Sequence, residues 1–142
     1  MTQYSLRDWT KNIRMKFNLI LFEKKYSIYK FRNDTVLPEW VYSSEFCSLT
    51  RTKDEVSVVT VQNKHLSDCI ACSKDWRILK IEGPLDFSLI GVIADISEIL
   101  KKAKVSVFII STYDTDYILV KEKDLNASIA SLQNKGYNIV RE

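Results

Sequence analysis

Apolar residues recur with two different periods along this chain, and the change from one period to the other marks out its elements. The C-terminal half reads most clearly. WRILKIEG (76–83) predicts a strand ending at Gly83, and after GPLD the residues Leu85, Leu89, Val92, Ile93, Ile96, Ile99 and Leu100 return at helical spacing. Asp86 or Ser88 is placed to cap that helix. KVSVFIIST, apolar on both faces, predicts a strand at the centre of its sheet, and YILVKE a returning strand. Asp124 then opens a second helix with Leu125, Ile129 and Leu132 in one stripe, Gly136 just past its end, and YNIVR as a last strand. The order β-α-β-β-α-β is that of a ferredoxin-like split β-α-β unit. WRILKIE and VSVFII are expected to run parallel side by side, so that GPLDFSLIG and STYDTD begin at one sheet edge.

The N-terminal half carries the same parts in a looser form. MKFNLILFE (15–23) turns Phe17, Leu19 and Leu21 to one face and is expected to form a hairpin with YSIYKF. LPEWVYSS predicts one or two helical turns with Pro38 near the start, and EFCSLTRT and EVSVVTVQN predict two strands. SLTRTKDEVSVV (48–59) parallels STYDTDYILV (111–120) in its order of Ser, Thr, Thr, Asp and β-rich run, with one extra residue in the first copy. The expected fold is therefore α+β, two tandem ferredoxin-like (βαββαβ) units, the first with a shortened first helix. Residues 1–14 read as a polar extension bearing Trp9, 15–74 as the first unit and 75–142 as the second.

Composition narrows the function. A net charge of +3 over 142 residues, with scattered lysines, is too weak a footprint for nucleic acid. No apolar run reaches the ~20 residues that span a bilayer, and the N-terminus does not read as a secretion signal, so a cytoplasmic protein is expected. The three cysteines, Cys47, Cys69 and Cys72, are an odd number, unlike a disulfide framework. Cys69 and Cys72 form a C-x-x-C, yet a tetrahedral zinc site would have to recruit Cys47 and the single His65 as well. The three thiols are read as small structural residues, and His65 as a loop residue. With glycine only at positions 83, 91 and 136, no phosphate-cradling loop is present, and no nucleophile motif accompanies the carboxylates. No catalytic residue, metal or cofactor is expected.

The joint STYDTD carries far more hydrogen-bonding groups than a hairpin needs. A helix starting just after Gly83-Pro84 presents about four unpaired backbone N–H groups, which attract a carboxylate. Asp86, Asp114 or Asp116 beside them would suit the ammonium of a zwitterion. A purely local reading stands beside this one: Asp86 caps a helix, and Thr112, Asp114, Thr115 and Asp116 only build a turn.

EGPLDFSLIG (82–91) and STYDTDYILV (111–120), at this separation, resemble the ACT-domain family. In particular they are similar to small bacterial two-ACT proteins, whose second domain is also similar to the amino-acid-binding modules of the CASTOR-type arginine sensors. The resemblance covers residues 76–142, and CSLTRTKDEVSVV (47–59) matches the first ACT-like unit more loosely. It implies a non-catalytic sensor that holds a small molecule, usually an amino acid, between ACT units. The ligand-binding residues it implies are Leu85, Asp86, Phe87, Ser88, Leu89, Ile90 and Gly91 after the first strand, and Thr112, Tyr113, Asp114 and Thr115 at the joint. From the first unit it implies Ser48, Leu49, Thr50 and Arg51, with Arg51 pairing either with a ligand carboxylate or with a glutamate of the other unit. A homodimer and a separate regulated protein are the implied partners. A module that assembles through its sheet edges without a ligand is the alternative.

Overall fold

A computed structural model of the protein describes residues 17–63, 66, 68–83 and 91–142. In chain order the first elements are β1 (Asn18–Leu21), β2 (Tyr26–Phe31), α1 (Glu39–Ser43), β3 (Cys47–Arg51), β4 (Val56–Val61) and β5 (Ala71–Ile81). There follow α2 (Val92–Lys102), β6 (Val107–Ser111), β7 (Asp116–Lys121), a 3₁₀ turn (Glu122–Asp124), α3 (Leu125–Asn134) and β8 (Asn138–Arg141). The residues gather into two compact units, Lys24–Trp76 and Arg77–Glu142, the latter joined by the described residues up to Glu23. The first is thus inserted in sequence between β1 and the rest of the second, and the two are called here the inserted and the host unit.

In the inserted unit the strand order is β3-β4-β2-β5, with only the first part of β5 involved. Tyr29 of β2 lies opposite Val58 of β4 on one side and Cys72 of β5 on the other. Tyr29, Phe31, Val56 and Val58 share one face and pack with Leu37, Val41 and Leu66. The helix expected from LPEWVYSS is the five-residue α1, entered directly from Pro38, and it contributes the fully buried Val41. Among the described residues between β4 and β5 there is no second helix, and β5 itself supplies the fourth strand.

The host unit has the order β8-β1-β5-β7-β6. The helices rest on the face that presents Leu19, Leu21, Leu79, Ile81, Ile118 and Val120, which they cover with Ile96, Ile99, Leu100, Leu125 and Leu132. Arg77, at the start of the host part of β5, has a side chain only 12% exposed. Its guanidinium donates to Glu122 at 3.1 Å and to the carbonyl of Phe22 at 2.9 Å.

Three strand expectations change here. The hairpin expected between MKFNLILFE and YSIYKF does not form: β1 pairs antiparallel with β5 (Leu19 opposite Ile81) and parallel with β8 (Leu19 opposite Ile139). Nothing in the alternation of β1 favours a sequence neighbour over a distant strand with an equally apolar face. Nor do β5 and β6 lie side by side, because β7 pairs with both. A split β-α-β crossover skips one strand position, and the returning strand fills it. Lastly, β6 is not central. Among the described residues it pairs with β7 alone, and Val107, Phe108, Ile109 and Ile110 are each half-buried.

The helix ends follow the local chemistry. The expected start of α2 near Asp86 is corrected: the described helix begins at Val92 and Gly91 is its N-cap, at φ 91°, a left-handed conformation open to glycine at little cost. At its other end Lys104 takes the left-handed position (φ 60°), with Lys104 N–H donating to Lys101 and Val105 N–H to Leu100. Helix α3 closes the same way with Gly136 (φ 105°) in that position, as its sequence implied. Asp124 is the N-cap of α3, but its side chain makes no capping bond; its carbonyl instead accepts from Ser128 Oγ at 2.7 Å.

The internal repeat is sharper in the structure than in the sequence. Cys47–Arg51 and Val56–Val61 correspond to Val107–Ser111 and Asp116–Lys121 at a constant offset of 60 positions, with no residue inserted. The counterparts of Thr112 and Asp114 are therefore Thr52 and Asp54, which corrects the alignment on Ser48 and Thr50.

Candidate functional site

The turn between β6 and β7 is built by its own hydroxyls. Thr112 N–H donates to the Thr115 carbonyl at 2.9 Å, and Thr112 Oγ1 donates to the same carbonyl at 3.1 Å. Ser111 Oγ donates to Asp116 Oδ1, which ties the two strand ends together. The inserted unit repeats the device: Thr52 N–H donates to the Glu55 carbonyl at 2.9 Å, and Thr52 Oγ1 accepts from the N–H groups of Asp54 and Glu55 at 3.1 Å. Much of the polar content of STYDTD thus serves the turn, as the local reading held.

Thr115 does something further. It is only 4% exposed, and its hydroxyl donates to the carbonyl of Ile81 at 2.6 Å. That bond fastens the turn to the last residue of β5, where the chain leaves the sheet toward Gly83. Tyr113 (81% exposed) and Asp114 then stand at the tip.

The same sheet end carries a row of polar groups from three more strands. Glu82 N–H donates to the Asn18 carbonyl at 2.9 Å, Asn18 Nδ2 to Glu82 Oε2 at 2.8 Å, and Asn138 Nδ2 to Asn18 Oδ1 at 2.9 Å. Next along the chain, the hydroxyl of the buried Tyr137 donates to Asp95 Oδ2 at 2.6 Å, and Asp95 belongs to the first turn of α2. Strand ends, turn and helix start therefore converge. Asn18 and Asn138 were not foreseen as neighbours: they lie 120 positions apart, and no local pattern joins them.

Of the residues expected at the site, Leu85, Asp86, Phe87, Ser88, Leu89 and Ile90 lie outside the described residues, between Gly83 and Gly91. Gly91, Thr112, Tyr113, Asp114 and Thr115 all belong to the host unit. Ser48, Leu49, Thr50 and Arg51 belong to the inserted unit, on β3 rather than on a turn. Leu49 packs against the core of that unit. The Arg51 guanidinium donates to the carbonyls of Asn33 (2.6 Å) and Thr35 (3.4 Å).

The family model for the ACT domain matches residues 71–134, the stretch that contains β5, α2, the β6–β7 turn and most of α3. The chain contains an ACT domain. A second model, which describes an N-terminal domain, matches residues 24–68, within the inserted unit. The human protein named cytosolic arginine sensor for mTORC1 subunit 1 is 32% identical over 100 residues, or 66% of this chain, and the chain spans only 30% of its length. A crystal structure of an Agrobacterium tumefaciens protein superposes with a TM-score of 0.80 at 28% identity, covering 89% of this chain and 93% of that one. Aspartate kinase from Clostridium acetobutylicum, named as an allosteric enzyme, shares the fold over 80% of this chain and 33% of its own (TM-score 0.60, 15% identity). The ACT domain here is thus similar to amino-acid-sensing and regulatory proteins.

No cluster able to hold a metal occurs among the described residues, nor any helix long and apolar enough to cross a membrane. The three cysteines are free thiols, Cys47 and Cys69 half-buried and Cys72 exposed; His65 lies outside the described residues. Burial raises the Cys47 thiol above its ordinary value of 9.0. The folded chain therefore holds that proton more tightly than the unfolded chain, and the associated stability is lost as pH rises past the ordinary value. Because the thiolate is the nucleophile, iodoacetamide at pH 8 is expected to alkylate Cys72 well before Cys47, as followed by peptide mass spectrometry. Equal rates would contradict the burial of Cys47.

Proposed function

We propose that the ACT domain binds a small amino acid, without catalysis, at the sheet end bounded by the Thr112–Thr115 turn, the end of β5 and Gly91, and that the chain acts as a ligand sensor. The observation that supports this reading is the Thr115–Ile81 bond, which fastens the turn that carries Asp114 to the end of β5. Among the described residues Asp114 has neither a hydrogen-bond nor an ion-pair partner, so it is placed to accept an ammonium group. Leu85 to Ile90, which the resemblance implies as further ligand-binding residues, are proposed as part of the same site. A cytoplasmic homodimer that passes the signal to a separate regulated protein fits this reading, and the similarity to a protein named as a cytosolic arginine sensor supports it.

The test is a thermal-shift screen of ligand-free protein against the twenty amino acids. A ligand at ~100 times its dissociation constant adds about 2.7 kcal/mol, several degrees for a chain of this size. A flat screen at millimolar concentrations would sink the reading.

One observation favours a second reading, assembly through sheet edges. Strand β6 presents four uncharged, half-buried apolar residues at an edge among the described residues, the kind of strand that invites pairing with another chain. Light scattering separates the two, since a ligand-indifferent monomer would exclude assembly.

A further inference from the structure

The first part of β5, within the inserted unit, has a register that burial does not choose. Ala71, Cys72, Lys74 and Asp75 are exposed and Ser73 is half-buried, so none of them has to face a core. A stretch that is polar on both faces slips easily, because a shift of one residue costs it no buried contact. The later part of the same strand is fixed by Ile78, Leu79 and Ile81, all fully buried.

A bulge sets the register instead. Tyr26 lies opposite Trp76 but Ile28 opposite Ser73, so β5 carries one extra residue across from Ser27. Asp75 is left-handed there (φ 64°), in the kind of bulge position that glycine usually takes. The extra residue brings Ser73 to the side of Trp76, whose indole N–H donates to Ser73 Oγ at 2.9 Å, and it sets Cys72 opposite Tyr29.

Gln62, just past β4, grips Asp75 from both sides. Its Oε1 accepts from Asp75 N–H at 2.8 Å, and its Nε2 donates to Asp75 Oδ1 at 3.1 Å. The same Oε1 accepts from Oγ of the fully buried Ser27 at 3.1 Å, so one amide reaches across β2 to β5. Lys25 Nζ stands 3.9 Å from Asp75 Oδ1. Glycine would adopt the bulge conformation at less cost, but it would bring no carboxylate for Gln62 to hold.

We infer that the Gln62–Asp75 contact is a register lock: it retains the extra residue of β5, and its release lets residues 71–74 slip by one position along β2. With Trp76 still opposite Tyr26, the slip brings Ser73 opposite Tyr29 and Cys72 opposite Lys30. Cys72 and Ser73 thereby exchange faces, while the buried part of β5 keeps its pairing.

The experiment uses the full chain with Lys30→Cys, at an exposed position. In the locked register Lys30 lies opposite Ala71, on the other face from Cys72. In the slipped register position 30 is directly opposite Cys72, within reach of a disulfide. After brief diamide treatment, peptide mass spectrometry is expected to find little linkage between the thiol introduced at position 30 and Cys72. Adding Gln62→Ala is expected to raise that linkage about tenfold. Adding Asp75→Asn instead, which keeps an oxygen for Gln62 and tolerates the left-handed conformation, is expected to leave it low. A companion chain with Lys30→Cys, Ala71→Cys and Cys72→Ser reports the locked register, and its linkage is expected to fall when Gln62→Ala is added. Linkage to Cys72 that Gln62→Ala does not raise overturns the inference, as does linkage already high with Gln62 in place. Loss of the companion linkage with no gain at Cys72 also overturns it, because the strand would then detach and not slip.

Discussion

Leu19→Ala is expected to destabilise the host unit by about 2–5 kcal/mol, the cost of emptying a well-packed leucine site. Leu19 is fully buried and packs in the core that α2 and α3 cover, although it lies near the start of the chain and that core, apart from Phe17, Leu19 and Leu21, comes after Arg77. Its strand is held between β5 and β8, so its loss opens the sheet in the middle rather than at an edge. Urea unfolding measures the size of the effect, and hydrogen exchange its location. The amides of Leu79, Ile81 and Val140 should lose more protection than those of Val58 and Val59 in the β3–β4 hairpin. The reverse order would mean that β1 belongs with β2, as the sequence neighbours suggested.

Thr115→Val should cost about 1–3 kcal/mol although it changes the side-chain shape very little, because it leaves the buried Ile81 carbonyl without its donor. Asp114→Ala, on the exposed tip, should change stability by no more than about 0.5 kcal/mol. The two substitutions therefore separate holding the turn from using it. Ligand-dependent stabilisation is expected to vanish in Asp114→Ala with the fold intact, and to weaken in Thr115→Val because the turn is no longer fixed to β5. Equal stability of Thr115→Val and wild type, by urea unfolding, would show that the buried bond does not anchor the turn.

The turn was legible in part. The density of hydroxyls and carboxylates in STYDTD marked a turn built by its own side chains, and the chain now shows how they divide. Thr112 and Ser111 build the turn, Thr115 anchors it, and Asp114 is left at the tip. In the first unit Ser and Thr recur at Ser48 and Thr50, whereas the hydroxyl that builds the turn equivalent to STYDTD is that of Thr52. The Arg51 guanidinium donates to carbonyls of its own unit. A side chain advertises its donors in the sequence; which acceptors come within reach depends on a loop that folds back across the sheet.

What the sequence determined by itself is what short-range physics controls. The strands follow from alternation, the shortened α1 from LPEWVYSS, and the end of α3 from a glycine able to adopt the left-handed conformation. The two-copy character of the chain was visible as well, through repeated hydroxyls and carboxylates at corresponding turns. The tertiary structure alone decided the pairings: β1 to β5 and β8, β7 between β5 and β6, and the row Glu82–Asn18–Asn138 at the candidate site. Backbone hydrogen bonds are the same for every strand, and an apolar face is satisfied by any other apolar face. Which strands meet is therefore settled only when all the faces are buried together.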